Sequence, residues 1–178
     1  GLEHGKRYEV HLRAGLPSTV GENLSKSSEI AVYVRDRAPS VRFAGRAYVL
    51  PNRGQQGIPL ISVNASKADI EILRIGDRAL AGATSLDGFL KQVQSYELET
   101  IRDRNGQRVW QGELEIASRL NEDVTTAIPV SEAVPDLAPG VYLVIASAAD
   151  AKRSAYQAPA TQWFIVSDLG LTALSGDD

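Results

Sequence analysis

The sequence predicts an all-β protein, an antiparallel β-sandwich with one short helix, and three observations carry the prediction. Apolar residues recur with a period of two along most of the chain. Turn-forming residues punctuate the apolar runs at short intervals. A phrase of Leu, Gly and Tyr that opens an alternating run occurs twice, as LEHGKRYEVHLRA (Leu2–Ala14) and as LAPGVYLVIASA (Leu137–Ala148).

In RYEVHLRA, Tyr8, Val10 and Leu12 point one way while Glu9, His11 and Arg13 point the other, which predicts a strand with one buried and one wet face. A loop from Gly15 to Ser28, with Pro17, Gly21 and Asn23, leads to EIAVYVRDR, where Ile30, Val32 and Val34 repeat the pattern. The two runs are close enough to pair antiparallel. Ala38-Pro39-Ser40 ends the run, because Pro39 cannot donate to a central ladder. SVRFAGRAYVL reads as one further extended stretch, with Val41 and Phe43 on one face.

PNRGQQG (51–57) is a loop by composition, and ISVNA and ADIEILRIG are strands, the latter setting Ile70 and Ile72 against Glu71. The helix falls on SLDGFLKQVQ, where Ser85 can cap, Asp87 suits the positive end, and Leu86, Phe89, Leu90 and Val93 have helical spacing. YELETIRDRNGQRVWQGELEI predicts a hairpin turning at Asn105-Gly106, a pair that readily takes positive φ. VTTAIPVSEAVPDLAPG runs from a strand into a Pro-punctuated loop. LAPGVYLVIASA and TQWFIVSDLGLTAL supply the last strands.

From Val41 onward this gives about seven strands, the number of one immunoglobulin-like sandwich. In such a module the Leu-Gly-Tyr phrase marks a tight turn into a late strand, with the Tyr ring plugging the end of the sandwich. The first copy of the phrase then belongs to the late strands of a preceding module. The expected organisation is a partial immunoglobulin-like module at 1–40, a full sandwich at 41–168, and a connection to a next domain at 169–178. If the partial module leaves an unpaired edge, Ile30 to Val34 can tuck onto the sandwich or pair with a second copy of the chain.

Composition narrows the function classes. At 178 residues and 43 % hydrophobic, the chain can build a core without staples. There is no Cys, so disulfides, thiolate metal sites and cysteine nucleophiles are all excluded. The 19 basic and 22 acidic residues are spread along the chain with a net charge of −3, which argues against nucleic-acid binding. No run reaches the length of a membrane-spanning helix. The start GLEHGKRY lacks a signal-type apolar core, and the chain has no Met, so it reads as a piece of a longer product.

Candidate chemistry is sparse. His4 and His11 are the only histidines; neither belongs to a Ser–His–Asp arrangement or a zinc-type spacing, and both read as structural or neutral surface residues. Glu97 and Glu99 on one expected hairpin arm and Glu113 and Glu115 on the other could in principle serve as paired acids. Alternation makes them a solvated face, partly balanced by Arg102, Arg104 and Arg108. Asp177-Asp178 reads as a frayed terminus rather than a cation site. Tyr33, Tyr48, Tyr96, Tyr142, Tyr156, Trp110 and Trp163 sit mostly at strand positions and read as core rather than a sugar-binding platform. The expectation is no catalytic residue, no cofactor and no metal.

Several stretches resemble the N-terminal macroglobulin-like region of bacterial α2-macroglobulins: YEVHLRAGLPS, EIAVYVRDRAPSVRFAGRAYVLPNRGQQGIPLISVN, YELETIRDRNGQRVWQGELEI and ATQWFIVSDLGLTA. The resemblance covers nearly the whole chain in order. It implies a macroglobulin (MG) domain, a seven-stranded sandwich, in a large periplasmic protein tethered to the inner membrane. It also implies a broad-range protease trap with neighbouring MG domains and target proteases as partners, and an association with peptidoglycan-synthesis proteins. Many members carry a Cys–Gln thioester; with no Cys here, that group would lie elsewhere or be lacking, and no site residue carries over. In a bacterial protein the glycosylation-type patterns Asn23-Leu24-Ser25 and Asn64-Ala65-Ser66 are chance. What remains is a scaffold role without catalysis; a tandem adhesin module or a carbohydrate-binding sandwich is the alternative.

Overall fold

A computed structural model describes residues 1–45, 47–51, 57–77, 80, 91–135, 137–150 and 158–167. The chain divides into two compact units, Gly1–Ala38 and Pro39–Asp178.

The first unit is a two-stranded antiparallel ribbon. Strand β1 (Arg7–Leu12) pairs with β2 (Ser28–Tyr33) so that Tyr8 opposes Val32 and Val10 opposes Ile30. Between the strands the ribbon narrows to a tip, where Leu24 N–H donates to the Leu16 carbonyl at 2.9 Å and Ser18 N–H to the Glu22 carbonyl at 2.7 Å. The alternation of Tyr8, Val10 and Leu12 is realised, but the burial expected of it is not. Val10, Ile30 and Val32 remain 42 %, 46 % and 39 % exposed, because the unit has no second layer to cover them. A lone pair of strands buries too little to stand by itself in water.

The second unit is a sandwich of eight strands among the described residues. They are β3 (Ser40–Phe43), β4 (Ala47–Pro51), β5 (Ile58–Val63), β6 (Lys67–Ile75), β7 (Gly106–Glu115), β8 (Val124–Ile128), β9 (Gly140–Ala148) and β10 (Ala160–Ser167). One sheet has the order β4-β10-β9-β6-β7 and the other β3-β5-β8. All pairings are antiparallel except that of β4 with β10, which is parallel. The stretch read as one strand, SVRFAGRAYVL, is thus two: β3 joins the smaller sheet and β4 the larger. A first strand that changes sheets lets one segment close both layers.

Residues from both sheets meet in one core, with Ile58, Leu60 and Ile128 from the smaller sheet against Ile70, Ile72, Tyr142, Val144, Phe164 and Val166 from the larger. The larger sheet buries its other face as well. Leu73, Ile75, Leu143, Ile145 and Trp163 are covered by Val93, Leu98 and Ile101. That double burial explains why β9 and β10 read as nearly unbroken apolar runs.

The cover corrects the expected hairpin. Ser95–Thr100 is a helix (α1), Ile101–Asn105 is a π-helical turn, and Gly106 enters β7 in extended conformation (φ −114, ψ 135). Asn105-Gly106 makes no tight turn, because β7 pairs with β6 from far upstream. Gln94 N–H donates to Glu97 Oε2 at 2.8 Å and caps the helix. Leu98 and Ile101, three residues apart, then face the sheet together. The SLDGFLKQVQ helix falls mostly on 81–90, outside the described residues; Lys91 to Gln94, its last four positions, are not helical. The Pro-punctuated loop holds one helical turn, α2 (Val130–Ala133), which starts directly after Pro129.

Candidate functional site

The repeated phrase becomes a repeated device. After Leu137-Ala138-Pro139-Gly140, Tyr142 enters β9, is buried, and donates its hydroxyl back to the Ala138 carbonyl at 2.6 Å. Its ring stacks on Phe164 across the strand pair, with centroids 5.0 Å apart and planes at 14°. This is the tyrosine corner of immunoglobulin-like sandwiches. Burial pushes the Tyr142 hydroxyl above its usual pKa, with a smaller opposing pull from Arg74. In the first unit Tyr8 folds back on its own turn in the same manner: its hydroxyl oxygen accepts from Glu3 N–H at 2.7 Å, beside Gly5 at φ +73°.

The polar groups that are buried tie layers together. Glu71 on β6 is 7 % exposed. Its Oε2 accepts from Arg102 Nε at 2.9 Å and Nη2 at 2.5 Å, and its Oε1 from Arg108 Nε at 3.0 Å. Arg102 lies in the π-helical turn and Arg108 on β7, so one carboxylate pins both to the central sheet. The stretch before α1 is laced down by Trp163 Nε1–H donating to the Lys91 carbonyl (3.1 Å), Val93 N–H to Thr161 Oγ1 (2.9 Å) and Gln92 Nε2–H to the Pro159 carbonyl (3.0 Å). Two asparagines with positive φ, Asn64 (49°) and Asn121 (63°), clasp each other: Asn121 N–H donates to Asn64 Oδ1 at 2.6 Å and Asn64 Nδ2–H to Asn121 Oδ1 at 3.1 Å. Asp150 accepts from both Ser66 N–H and Ser66 Oγ–H at 2.8 Å, and these bonds hold its carboxyl below the usual range.

The residues singled out for chemistry do not converge. Glu97 and Glu99 lie on α1 rather than on a hairpin arm opposite Glu113 and Glu115. Glu113 pairs with Lys67 at 2.7 Å instead. Arg102 and Arg108, read as balancing charges on a wet face, serve the buried Glu71; the period of two sets that carboxylate opposite Ile70 and Ile72 but carries no sign that a second cover lies over its face. His4 Nδ1–H donates to the Arg35 carbonyl (2.8 Å), and His11 faces Glu29 at 3.1 Å and Glu9 at 3.8 Å on the exposed ribbon. Among the described residues no group of three or more His, Asp or Glu could hold a metal ion. Of the aromatic residues, Trp163 and Tyr142 are buried, Trp110 packs against the inter-sheet core, and Tyr96 and Tyr33 are exposed on different units. The side chains of Tyr48 and Tyr156, and Asp177-Asp178, lie outside the described residues.

An open groove of about 450 Å³ runs between the end of β6 and the π-helical turn, lined by Arg74, Asp77, Asp103, Arg104 and Gln107. Its charges are mixed, and none of these side chains makes a nucleophile–base pair. Among the described residues no helix is long and apolar enough to cross a membrane.

Comparison with known proteins agrees with this architecture. Residues 42–164 match the family model of the bacterial alpha-2 macroglobulin MG2 domain. An alpha-2-macroglobulin of Xylella fastidiosa is 30 % identical over 176 residues, 96 % of this chain and 10 % of the relative. A crystal structure of native Escherichia coli alpha-2-macroglobulin spanning domains MG0-NIE-MG1 superposes with a TM-score of 0.59 at 24 % identity, covering 98 % of this chain and 54 % of that one. One spanning only NIE-MG1 superposes with a TM-score of 0.55 at 25 % identity, covering 78 % of this chain and 65 % of that one. The chain spans about a tenth of the length of the curated relative. A tyrosine-cornered sandwich matched along 42–164, in a chain similar to alpha-2-macroglobulin over nearly its whole length, leads to one conclusion: this chain belongs to the bacterial alpha-2-macroglobulin family.

Proposed function

We propose that the chain is a non-catalytic structural module of an alpha-2-macroglobulin-like broad-spectrum inhibitor that traps proteases in the periplasm, in a parent protein anchored to the inner membrane. The observation that carries the reading is the MG2 match at 42–164 on a sandwich whose buried Glu71 and Thr161 hold layers to one another through Arg102, Val93 and the exposed Gln92. Such a module forms wall rather than reactive machinery. With no Cys in its 178 residues, a thioester in the parent would draw on other parts of the polypeptide. Its partners are the neighbouring MG domains of the same polypeptide, target proteases through the full-length protein, and peptidoglycan-synthesis proteins.

The domain reading belongs to the same proposal: late strands of a preceding module at about 1–40, a full MG sandwich at about 41–168, and a connection at 169–178.

The test uses the full-length parent with proteases of different specificity. Retained cleavage of a small peptide together with lost cleavage of a large protein substrate is the expected result, since a caged protease still admits small molecules. Survival of both activities overturns the trap reading and favours an adhesin or binding module.

A further inference from the structure

Asn105-Gly106 makes no tight turn, yet the pair carries a chemistry of its own. It is the one Asn-Gly step among the five asparagines of the chain. With no Cβ on the glycine to stand in the way, the glycine's backbone nitrogen can approach the side-chain amide carbon of the asparagine. A new N–C bond then closes a cyclic succinimide, the C–N bond of the side-chain amide breaks, and ammonia leaves. The attacking nitrogen gives its proton to hydroxide in the solvent, and the departing nitrogen takes one from water. Hydrolysis of the ring leaves aspartate or isoaspartate.

The fold holds this reaction off. Gly106 N–H donates to the Ile101 carbonyl across the π-helical turn, and Gly76 N–H donates to the Asn105 carbonyl at 3.2 Å. Swinging the Asn105–Gly106 peptide until its nitrogen meets the side chain breaks both bonds. The space around Gly106 is also tight: a Cβ there would lie 3.1 Å from the Ile101 carbonyl oxygen and 3.3 Å from Leu73 Cβ. The turn itself is held down by Arg102 on the buried Glu71. Water is nonetheless at hand, because Asn105 lines the open groove together with Arg74, Asp77, Asp103 and Arg104.

We propose that Asn105-Gly106 is a latent deamidation site, closed while the π-helical turn is seated on β6 and opened when the turn lifts. Solvent and base are present in either state; what the seated turn withholds is the rotation of one peptide. The modification is also self-sustaining. A new carboxylate in the groove joins Asp77 and Asp103, and like charges there oppose reseating. In isoaspartate the main chain runs through the side-chain carbon, which lengthens the backbone where β7 begins at Gly106 and disturbs its register with Ile75 on β6. Each opening that ends in reaction therefore leaves a permanent mark at this one position.

Peptide mapping by mass spectrometry on the full-length parent, incubated at mildly alkaline pH, reads conversion at Asn105 directly. In urea Asn105 is expected to convert ahead of Asn23, Asn64 and Asn121, and in the folded protein at least about tenfold more slowly than in urea. Equal folded and unfolded rates overturn the closure. Arg102→Ala frees one hold on the turn and should raise the folded rate several-fold; a rate unchanged from that of the unsubstituted protein overturns the coupling to the turn. Hydrogen exchange at Gly106 N–H in the unsubstituted protein gives a reading that does not depend on the variant folding. Slow exchange there is expected, and fast exchange within an otherwise protected β7 overturns the proposal.

Discussion

Replacing Arg102 with Ala removes two hydrogen bonds from one oxygen of a carboxylate that is 7 % exposed, and leaves Glu71 with Arg108 alone. The two arginines differ in setting: the Arg102 side chain is 38 % exposed and that of Arg108 is 58 % exposed. A charged hydrogen bond lost at a buried group costs about 1.5–3 kcal/mol, whereas an exposed pair is worth about 0.2–1 kcal/mol. Arg102→Ala is therefore expected to cost about 2 kcal/mol and Arg108→Ala about 1 kcal/mol or less. With a urea m-value of about 2 kcal/mol/M, the first substitution lowers the unfolding midpoint by about 1 M and the second by at most half of that. Tryptophan fluorescence isolates the right unit, since both tryptophans, Trp110 and Trp163, lie in the sandwich. A double-mutant cycle of Glu71→Ala with Arg102→Ala then reads the pair directly. Equal costs for the two arginines, or a coupling below about 0.5 kcal/mol, refute the claim that this carboxylate pins the π-helical turn to the sheet.

Three further outcomes follow from the same geometry. Tyr142→Phe is expected to destabilise the sandwich by about 1 kcal/mol through loss of the bond to Ala138; a urea midpoint equal to that of the parent sequence contradicts the corner. Gly57→Ala places a Cβ 2.6 Å from the Ile128 carbonyl oxygen and 2.9 Å from Ala127 Cβ, so about 1–3 kcal/mol is lost to overpacking, and an unchanged melting temperature rules out that approach of chain to chain. The folded pKa of Asp150 lies below its ordinary 3.8 because Ser66 donates to it, so its contribution is full above the unfolded pKa and is lost as pH falls through the folded one. Acid titration of Asp150→Asn should show a shallower loss of stability below about pH 4 than the parent sequence, and identical acid curves would remove this residue from the balance.

How much of the molecule could be read from sequence depends on where each residue's partner lies. Alternation located β1, β2, β6 and β9 because side-chain direction is a local property. The strand pattern misled at Tyr96–Ile101, where Leu98 and Ile101 satisfy a helical spacing as well as Tyr96 and Leu98 satisfy a period of two. The capping pair Gln94 and Glu97 was the local signal that favoured the helix. The division of SVRFAGRAYVL into β3 and β4 has one local signal, Gly45 at the bend between them, but each half is a good strand and only the distant β5 and β10 decide which sheet it joins. Burial of Val10, Ile30 and Val32 failed for a related reason: pattern gives the face, whereas a second layer gives the burial. Glu71 was illegible because an isolated acid among apolar residues looks the same whether or not arginines reach it from elsewhere.

The parallel pairing of β4 with β10 bears on how the sandwich transmits force. Ala47 opposes Trp163 and Pro51 opposes Ser167, so both strands run in the same direction. Chain enters β4 at one end of this pair and leaves β10 at the other. Tension between those two points pulls the strands lengthwise past each other and loads the hydrogen bonds between them together. An antiparallel pair gripped at adjacent ends would instead peel open one bond at a time. A module strung this way resists stretching along the line of the polypeptide, and in a single-molecule pulling experiment it should rupture at a higher force when held at these two ends than when held across the β6–β7 edge.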